Sequence, residues 1–248
     1  MNRTLWLRLS LAAVVAVSVW GCGSKEKPAP EPAPAPAPAP SVSGSEPSAP
    51  TVPLSSLPDE LKHEAFEYYG LGNDQPMDLE RTIVGQPDTV TGSQSFRLKE
   101  VKDGKALFTV VRTGGFASVG DSDLSLELDG IYAMSSTIGT ITPHQLELPA
   151  KLGVGAKWDA ETKLEQGGGI TLEHKSVNKV VGMQKVTTPA GTYDALLIES
   201  SGPAKIQGEA KEMRTKAWFV KGLGAVKMEI VEISKGGSKQ TILIQNTK

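Results

Sequence analysis

The chain has 248 residues, one Cys, 17 Pro, 26 Gly and a formal charge of −2. A single cysteine excludes an internal disulfide, and it excludes zinc sites built on four cysteines or on two cysteines and two histidines. The near balance of 26 basic and 28 acidic residues removes the electrostatic footprint of a nucleic-acid binder. Eleven prolines lie between Pro28 and Pro58, leaving six for the stretch from Asp59 to Lys248, so the chain divides into unlike segments.

Residues 1–21 read as an export signal. Arg3 and Arg8 give a positive start, and Leu9 to Trp20 is apolar apart from Ser10 and Ser18. As a helix at ~1.5 Å per residue, that run spans roughly 18 Å, short of the ~30 Å hydrocarbon core. A processed signal fits this length better than a permanent span. At its end, Val19-Trp20-Gly21-Cys22 resembles the lipobox of bacterial lipoproteins, with Val19 and Gly21 as the recognised positions. The resemblance implies that the Cys22 sulfur takes a diacylglycerol unit and that cleavage makes Cys22 the new N-terminus. Trp20 is bulkier than the usual middle residue of that motif. Gly23 replaces the Asp that commonly retains such proteins in the inner membrane, which implies an outer-membrane anchor facing the periplasm. Two or more acyl chains hold a protein firmly, at ~0.8 kcal/mol per buried methylene.

Residues 22–58 form a Pro/Ala/Ser-rich tether. Pro28 to Pro40 alternates Pro with Ala around Glu31. Such a sequence favours solvated polyproline II over helix or ladder. At ~3.1 Å per residue the tether reaches on the order of 100 Å when extended. It serves either as a semi-rigid spacer or as a disordered leash.

Residues 59–248 are long enough to bury one core. A short helix is expected between Pro58 and Tyr69, and strands after it. The clearest hairpin surrounds Lys102-Asp103-Gly104. A two-residue loop would set Leu98 opposite Thr109. A three-residue loop sets Leu98 opposite Phe108 and Phe96 opposite Val110, with Gly104 left-handed, and this better-packed register is the expected one. Leu124, Leu126 and Leu128 alternate with polar residues up to an Asp129-Gly130 turn. The region from Met134 to Ile141 is ambiguous. Tyr193, Ala195 and Leu197 share one face and Leu196 and Ile198 the other, which predicts a strand covered on both sides. Val226, Met228 and Ile230 form a further alternating face. Strands at this spacing between Gly-rich breaks indicate an all-β fold of about 10–12 strands: an antiparallel β-barrel, an open barrel or a sandwich.

Leu148-Pro149, Gly153 to Trp158, Val186 to Tyr193 and Trp218 to Lys227 follow in order. This series resembles a group of uncharacterised exported bacterial domains with P-A-G-T-F/Y and W-Y/F-x-x-G-x-G-x-V-K motifs. The resemblance covers Leu146 to Ile233. It implies a secreted β-rich fold without an established activity, with an open barrel around a helix as one form. Trp158, Tyr193 and Trp218 are read as core anchors with paired indole N–H groups, or alternatively as the lining of a ligand cavity.

No catalytic constellation emerges. His63, His144 and His174 lie in no metal-binding spacing, and His63-Glu64 lacks the second His of H-E-x-x-H. Asp121-Ser122-Asp123 lacks the Gly and closing Glu of a calcium loop. Ser176-Val177-Asn178-Lys179 matches S-x-x-K without its companion motifs. Gly167 to Gly169 precedes an expected strand, so it lacks the helix N-terminus that binds phosphate. Charges from Lys205 to Lys216 alternate in sign, which reads as a solvated strand face. No metal, cofactor or nucleic-acid partner is expected. The chain is expected to be a non-enzymatic envelope lipoprotein, held to the membrane through Cys22, whose β domain has a structural role or binds a partner in the envelope. The alternative is a carrier of a lipid or other apolar ligand in an open barrel, and a hydrolase comes third.

Overall fold

The computed structural model describes residues 8–12, 15–19, 52–136, 139–166 and 170–248. Gly21, Cys22 and the Pro/Ala tether lie outside the described residues, as do Gly167 to Gly169. Val19 closes the second of two short antiparallel strands, β1 (Arg8–Ala12) and β2 (Val15–Val19).

Twelve further strands among the described residues make the folded body. They are β3 (Met77–Ile83), β4 (Thr89–Lys102), β5 (Lys105–Gly114), β6 (Ser122–Glu127), β7 (Gly130–Ser136) and β8 (Gly139–Pro149). After these come β9 (Lys157–Gln166), β10 (Ile170–Thr188), β11 (Gly191–Ile206), β12 (Glu209–Val220), β13 (Gly224–Ser234) and β14 (Lys239–Asn246). Each pairs antiparallel with its sequence neighbour, and β14 returns to β3, closing the barrel. Closure leaves no free sheet edge, which is how an up-and-down barrel avoids edge-to-edge aggregation. The fold is all-β with very little helix, and of the expected architectures it is the closed barrel.

The one α-helix among the described residues, α1 (Glu64–Tyr69), falls where the sequence suggests. His63 caps it: Nδ1 accepts from the Phe66 N–H at 3.4 Å, and Nε2–H donates to the Glu127 carbonyl at 2.9 Å. Those two partners fix the tautomer. Around the helix, Leu57, Leu61, Ala65, Tyr68, Tyr69 and Leu71 are buried in the main core and seal one end of the barrel. The Val52 N–H donates to the Leu98 carbonyl, so the chain arrives from the tether beside β4.

The β4–β5 hairpin gives the expected side-chain pairing by a different route. Leu98 faces Phe108 and Phe96 faces Val110, but Lys102 pairs with Lys105, so the loop holds only Asp103 and Gly104. Both loop residues have positive φ, at 50° and 72°, as a tight two-residue turn requires. The register is corrected by a bulge between Leu98 and Glu100. Burial of the Leu98–Phe108 and Phe96–Val110 pairs outweighs an unbroken ladder.

A second correction concerns Leu128. Leu124 and Leu126 are buried, but Leu128 is 63 % exposed. Glu127 pairs with Gly130, so the turn is Leu128-Asp129 and not Asp129-Gly130. β11 is covered on both faces as expected. Leu196 and Ile198 join the main core, whereas Ala195 belongs to a second cluster with Val186 and Val226. That cluster lies under the β10–β11 turn, where the Ala190 N–H donates to the Asn246 carbonyl.

Candidate functional site

Along β10, Leu172, His174, Ser176, Asn178 and Val180 are all buried at every second position. Strand alternation therefore turns this mixed set into the barrel. Their partners continue the pattern. Thr162, His174, Ala204 and Lys211 stand in one row across β9 to β12, and Trp158, Asn178, Ser200 and Thr215 in another. This wall is polar, whereas the wall formed by Phe108, Val110, Leu124, Leu126 and Ile131 is apolar.

The polar wall is incompletely satisfied. Glu147 Oε2, Trp158 Nε1, Thr162 Oγ1, His174 Nε2 and Ser176 Oγ are buried without a hydrogen-bond partner among the described residues. Each such group costs about 1–3 kcal/mol relative to a satisfied one. Glu147 projects inward from β8, where a bulge between Ile131 and Tyr132 shifts the β7–β8 register. Its Oε1 accepts from Gln145 Nε2 at 3.1 Å. Burial pushes the Glu147 carboxyl well above its ordinary value. Burial likewise raises the Tyr69 phenol, with Glu147 adding to the shift and Arg112 opposing it. His174 is shifted the other way, its pKa lowered by burial.

Glu147, Trp158, Asn178, Ser200, Thr215 and Phe219 line a small enclosed cavity of about 20 Å3. A volume near 20 Å3 holds one water and nothing larger. At the end opposite α1 the barrel opens into a mouth of about 300 Å3, lined by Ile83, Ile206, Lys211, Glu232, Ser234 and Gln240 among others. There Lys211 Nζ lies 3.0 Å from Glu232 Oε2. Lys211 was expected on a solvated face. It instead continues the inward series of Phe219, Ala217, Thr215 and Met213 along β12, and its side chain is 16 % exposed.

The three aromatic candidates do not converge. Trp158 packs on the main core and borders the small cavity, but its indole N–H has no partner, contrary to expectation. Trp218 alternates with the core residues Ala217 and Phe219 and so faces outward, where it and Tyr193 pack on the Val186–Ala195–Val226 cluster. Lys227 Nζ sits 5.7 Å from the Trp218 ring centroid. His63 is at the helix cap, His144 is exposed on β8, and His174 is inside the barrel. Ser176 faces inward, and Lys179, three residues on, faces out, so the S-x-x-K residues point to opposite sides of the wall. Asp121 and Asp123 are engaged by Arg112, Lys99, Thr109 and Ser135. Among the described residues, no three His, Cys, Asp or Glu side chains form a metal-ligating group.

The sequence reading missed Glu147, Lys211 and Glu232 as interior residues. Strand periodicity was the available signal for Lys211 and Glu232, which stand two residues from the core residues Met213 and Ile230. For Glu147 no such signal existed, because the bulge breaks the alternation beside Leu148.

A family model described as DUF3108-like matches residues 120–241. The motif-bearing stretch from Leu146 to Ile233 lies inside that match. No curated protein matches the chain in sequence. Among solved structures, the chain is similar to a protein designated as exported, with a YmcC-like fold, from Bacteroides fragilis. The TM-score is 0.49 and the identity 11 %, covering 71 % of this chain and 96 % of that one. A protein designated a lipoprotein from Parabacteroides distasonis gives a TM-score of 0.49 at 15 % identity, over 71 % and 96 %. The hypothetical lipoprotein YmcC from Escherichia coli gives 0.33 at 8 % identity, over 73 % and 89 %.

Proposed function

We propose that the chain is an exported envelope lipoprotein, anchored through Cys22, whose barrel binds a protein partner and turns over no substrate. The filled interior carries this reading. Small-molecule sites occupy roughly 300–1,000 Å3, and the enclosed interior cavity measures about 20 Å3. Recognition therefore falls to the outer wall and the rims. Gly23 after the lipobox, in place of an Asp, supports an outer-membrane location. The separation of Ser176 from Lys179, and of the three histidines from one another, supports a non-catalytic role.

A carrier reading has one observation in its favour, the mouth of about 300 Å3 opposite α1. Its Lys211–Glu232 ion pair and amide-bearing Gln240 suit a polar group better than an acyl chain. Cell fractionation and surface photo-crosslinking test the main reading together. Cys22→Ser should leave the membrane fraction, and photoreactive residues on the outer wall should yield one discrete protein adduct. A Cys22→Ser protein that stays membrane-bound overturns the anchor. Adducts absent at every exposed position overturn the partner. A lipid retained in native mass spectrometry would establish the carrier reading instead.

A further inference from the structure

The exposed apolar side chains gather at one end of the barrel. Because the strands run up and down, the turns at 103–104, 128–129, 150–156, 189–190 and 221–223 lie at the α1 end. Those at 84–88, 207–208 and 235–238 lie at the mouth. Among the described residues, Leu128, Val154 and Met183 are 63 %, 74 % and 55 % exposed, and all three stand around α1. Val84 is exposed at the mouth, and Val177 on the outer wall. Single exposed apolar residues are ordinary, but three around one short helix form a surface.

Hydrogen bonds tie each of the three to the helix. Leu128 follows Glu127, whose carbonyl accepts from the His63 cap. Val154 lies in the loop whose Leu152 N–H donates to Glu64 Oε2 at 2.8 Å and whose Gly155 N–H donates to the Val180 carbonyl. Met183 Sδ accepts from the Tyr68 hydroxyl at 3.7 Å. Val154 and Met183 adjoin, since a Cβ at Gly182 would stand 3.8 Å from Val154 Cγ2. Val154 crowns its loop, where a Cβ at Gly153 or Gly155 would meet nothing within 4 Å. The charges nearby include the pairs Lys62–Asp59, Lys221–Glu67 and Lys185–Asp194, at 2.7 Å, 2.7 Å and 2.9 Å. Such pairing weakens attraction of one sign and leaves apolar contact as the chief offer of this end.

The chain enters the barrel at this same end. The Val52 N–H donates to the Leu98 carbonyl, near the 103–104 turn. Cys22 precedes Val52 by thirty residues, which at ~3.1 Å per residue reach roughly 90 Å. A lipid on Cys22 keeps the domain within that distance of a bilayer, at an effective concentration high enough for weak contacts to form. We propose that the α1 end rests on the lipid bilayer, with Leu128, Val154 and Met183 set into its interfacial layer. This rests on the anchor reading above and gives the barrel its orientation. The mouth and the wall above α1 then point away from the membrane, toward the protein partner. The occupant is a bilayer because the anchor brings a bilayer to the end where chain entry and exposed apolar side chains coincide.

The test uses the lipidated full chain in phosphatidylcholine liposomes that carry a spin-labelled, fluorescence-quenching lipid. The lipid occupies the Cys22 thiol, so a fluorophore goes to one introduced cysteine. Lys151→Cys places it beside Val154, and Lys235→Cys places it in the exposed β13–β14 turn at the mouth. Quenching should be at least threefold stronger at 151 than at 235, and 1 M salt should leave it unchanged. Adding Leu128→Ser, Val154→Ser and Met183→Ser should bring the 151 signal down to that at 235 without moving the melting midpoint. If that combination does not fold, Val154→Ser alone should lower the 151 signal at least twofold. Equal quenching at the two positions, quenching abolished by salt, or quenching indifferent to the serine variants each overturns the proposal. A discrete protein adduct from a photoreactive residue at 151 in cells, with no quenching in liposomes, gives this end to a protein instead. An anchored chain with equal quenching removes this surface alone. A Cys22→Ser chain that stays membrane-bound removes the anchor reading beneath it.

Discussion

Lys211 and Glu232 form a 3.0 Å ion pair on the inner face of the barrel, with side chains 16 % and 4 % exposed. They stand on neighbouring strands, one step off register, since Lys211 pairs with Ser234 and Met213 with Glu232. A pair held this far from water gains from mutual attraction but has already lost most of its hydration. Lys211→Met removes the cation and leaves the carboxylate in place, which should cost ~3–5 kcal/mol of unfolding free energy. The double variant Lys211→Met/Glu232→Leu should recover most of that loss, because a matched apolar pair avoids the desolvation cost. Urea denaturation of the wild type, the single and the double variant gives the comparison. A single variant as stable as wild type would show that the pair is solvated.

Glu147 makes the protein's stability fall as pH rises. Its folded pKa lies well above the ordinary 4.5, with burial as the cause. Above about pH 4.5 the unfolded chain releases this proton while the folded chain keeps it, so the native state binds more protons and stability declines with pH. The decline ends only once the folded carboxyl itself ionises. Glu147→Gln keeps an oxygen for the Gln145 amide and removes the titration. The variant should match wild type near pH 4 and gain on it as pH rises above 4.5, with measurements carried to pH 8. Thermal midpoints across that range test this, and parallel curves for the two proteins would refute it.

The sequence made the strands legible wherever side-chain alternation and turn residues agreed. The Leu98–Phe108 pairing was readable because only one register buries both residues. The device that achieves it, a bulge beside Lys99, was not readable, since a two-residue loop with a bulge and a three-residue loop give the same cross-strand pairs. Leu128 misled for a related reason. Alternation continues through it, but the chain turns there, and a hydrophobic residue in a turn carries no local mark. The polar interior was harder still. His174, Ser176 and Asn178 read as an ordinary polar strand face until closure of the barrel shows which side is inside. Closure is a long-range event, decided by β14 meeting β3, and no local pattern encodes it.

Gly202 and Pro203 interrupt the β10–β11 ladder, whose recorded pairs jump from His174–Ala204 to Val177–Ser201. A Cβ at Gly202 would strike the Lys175 carbonyl oxygen and press on the Ser176 Cα. These are backbone atoms within a sheet and cannot yield cheaply. Gly202→Ala should therefore destabilise the barrel by ~2 kcal/mol or more, as overpacking against backbone does. Pro203→Ala should have a small effect, since it adds no atom at the contact. Melting curves of both variants check this. A Gly202→Ala protein that melts with the wild type would mean that β10 and β11 can separate at this point.

His174 imposes the opposite pH limit from Glu147. It is 5 % exposed, its Nε2 has no partner, and burial lowers its pKa from 6.5. Above pH 6.5 the imidazole is neutral in both states and contributes no pH dependence. Below that value the unfolded chain takes up a proton that the folded chain refuses until its own lower pKa is reached, so stability is lost as pH falls. His174→Leu removes both the titration and the orphaned nitrogen. At pH 8 the variant should be more stable by ~1–3 kcal/mol, the cost of a buried unsatisfied group. From pH 6.5 toward pH 5 its advantage should widen. Chemical denaturation at pH 8, 6.5 and 5 separates the two contributions. A constant difference would leave the unsatisfied nitrogen as the whole effect, and a wild type more stable at pH 5 would show that the folded barrel protonates His174 readily.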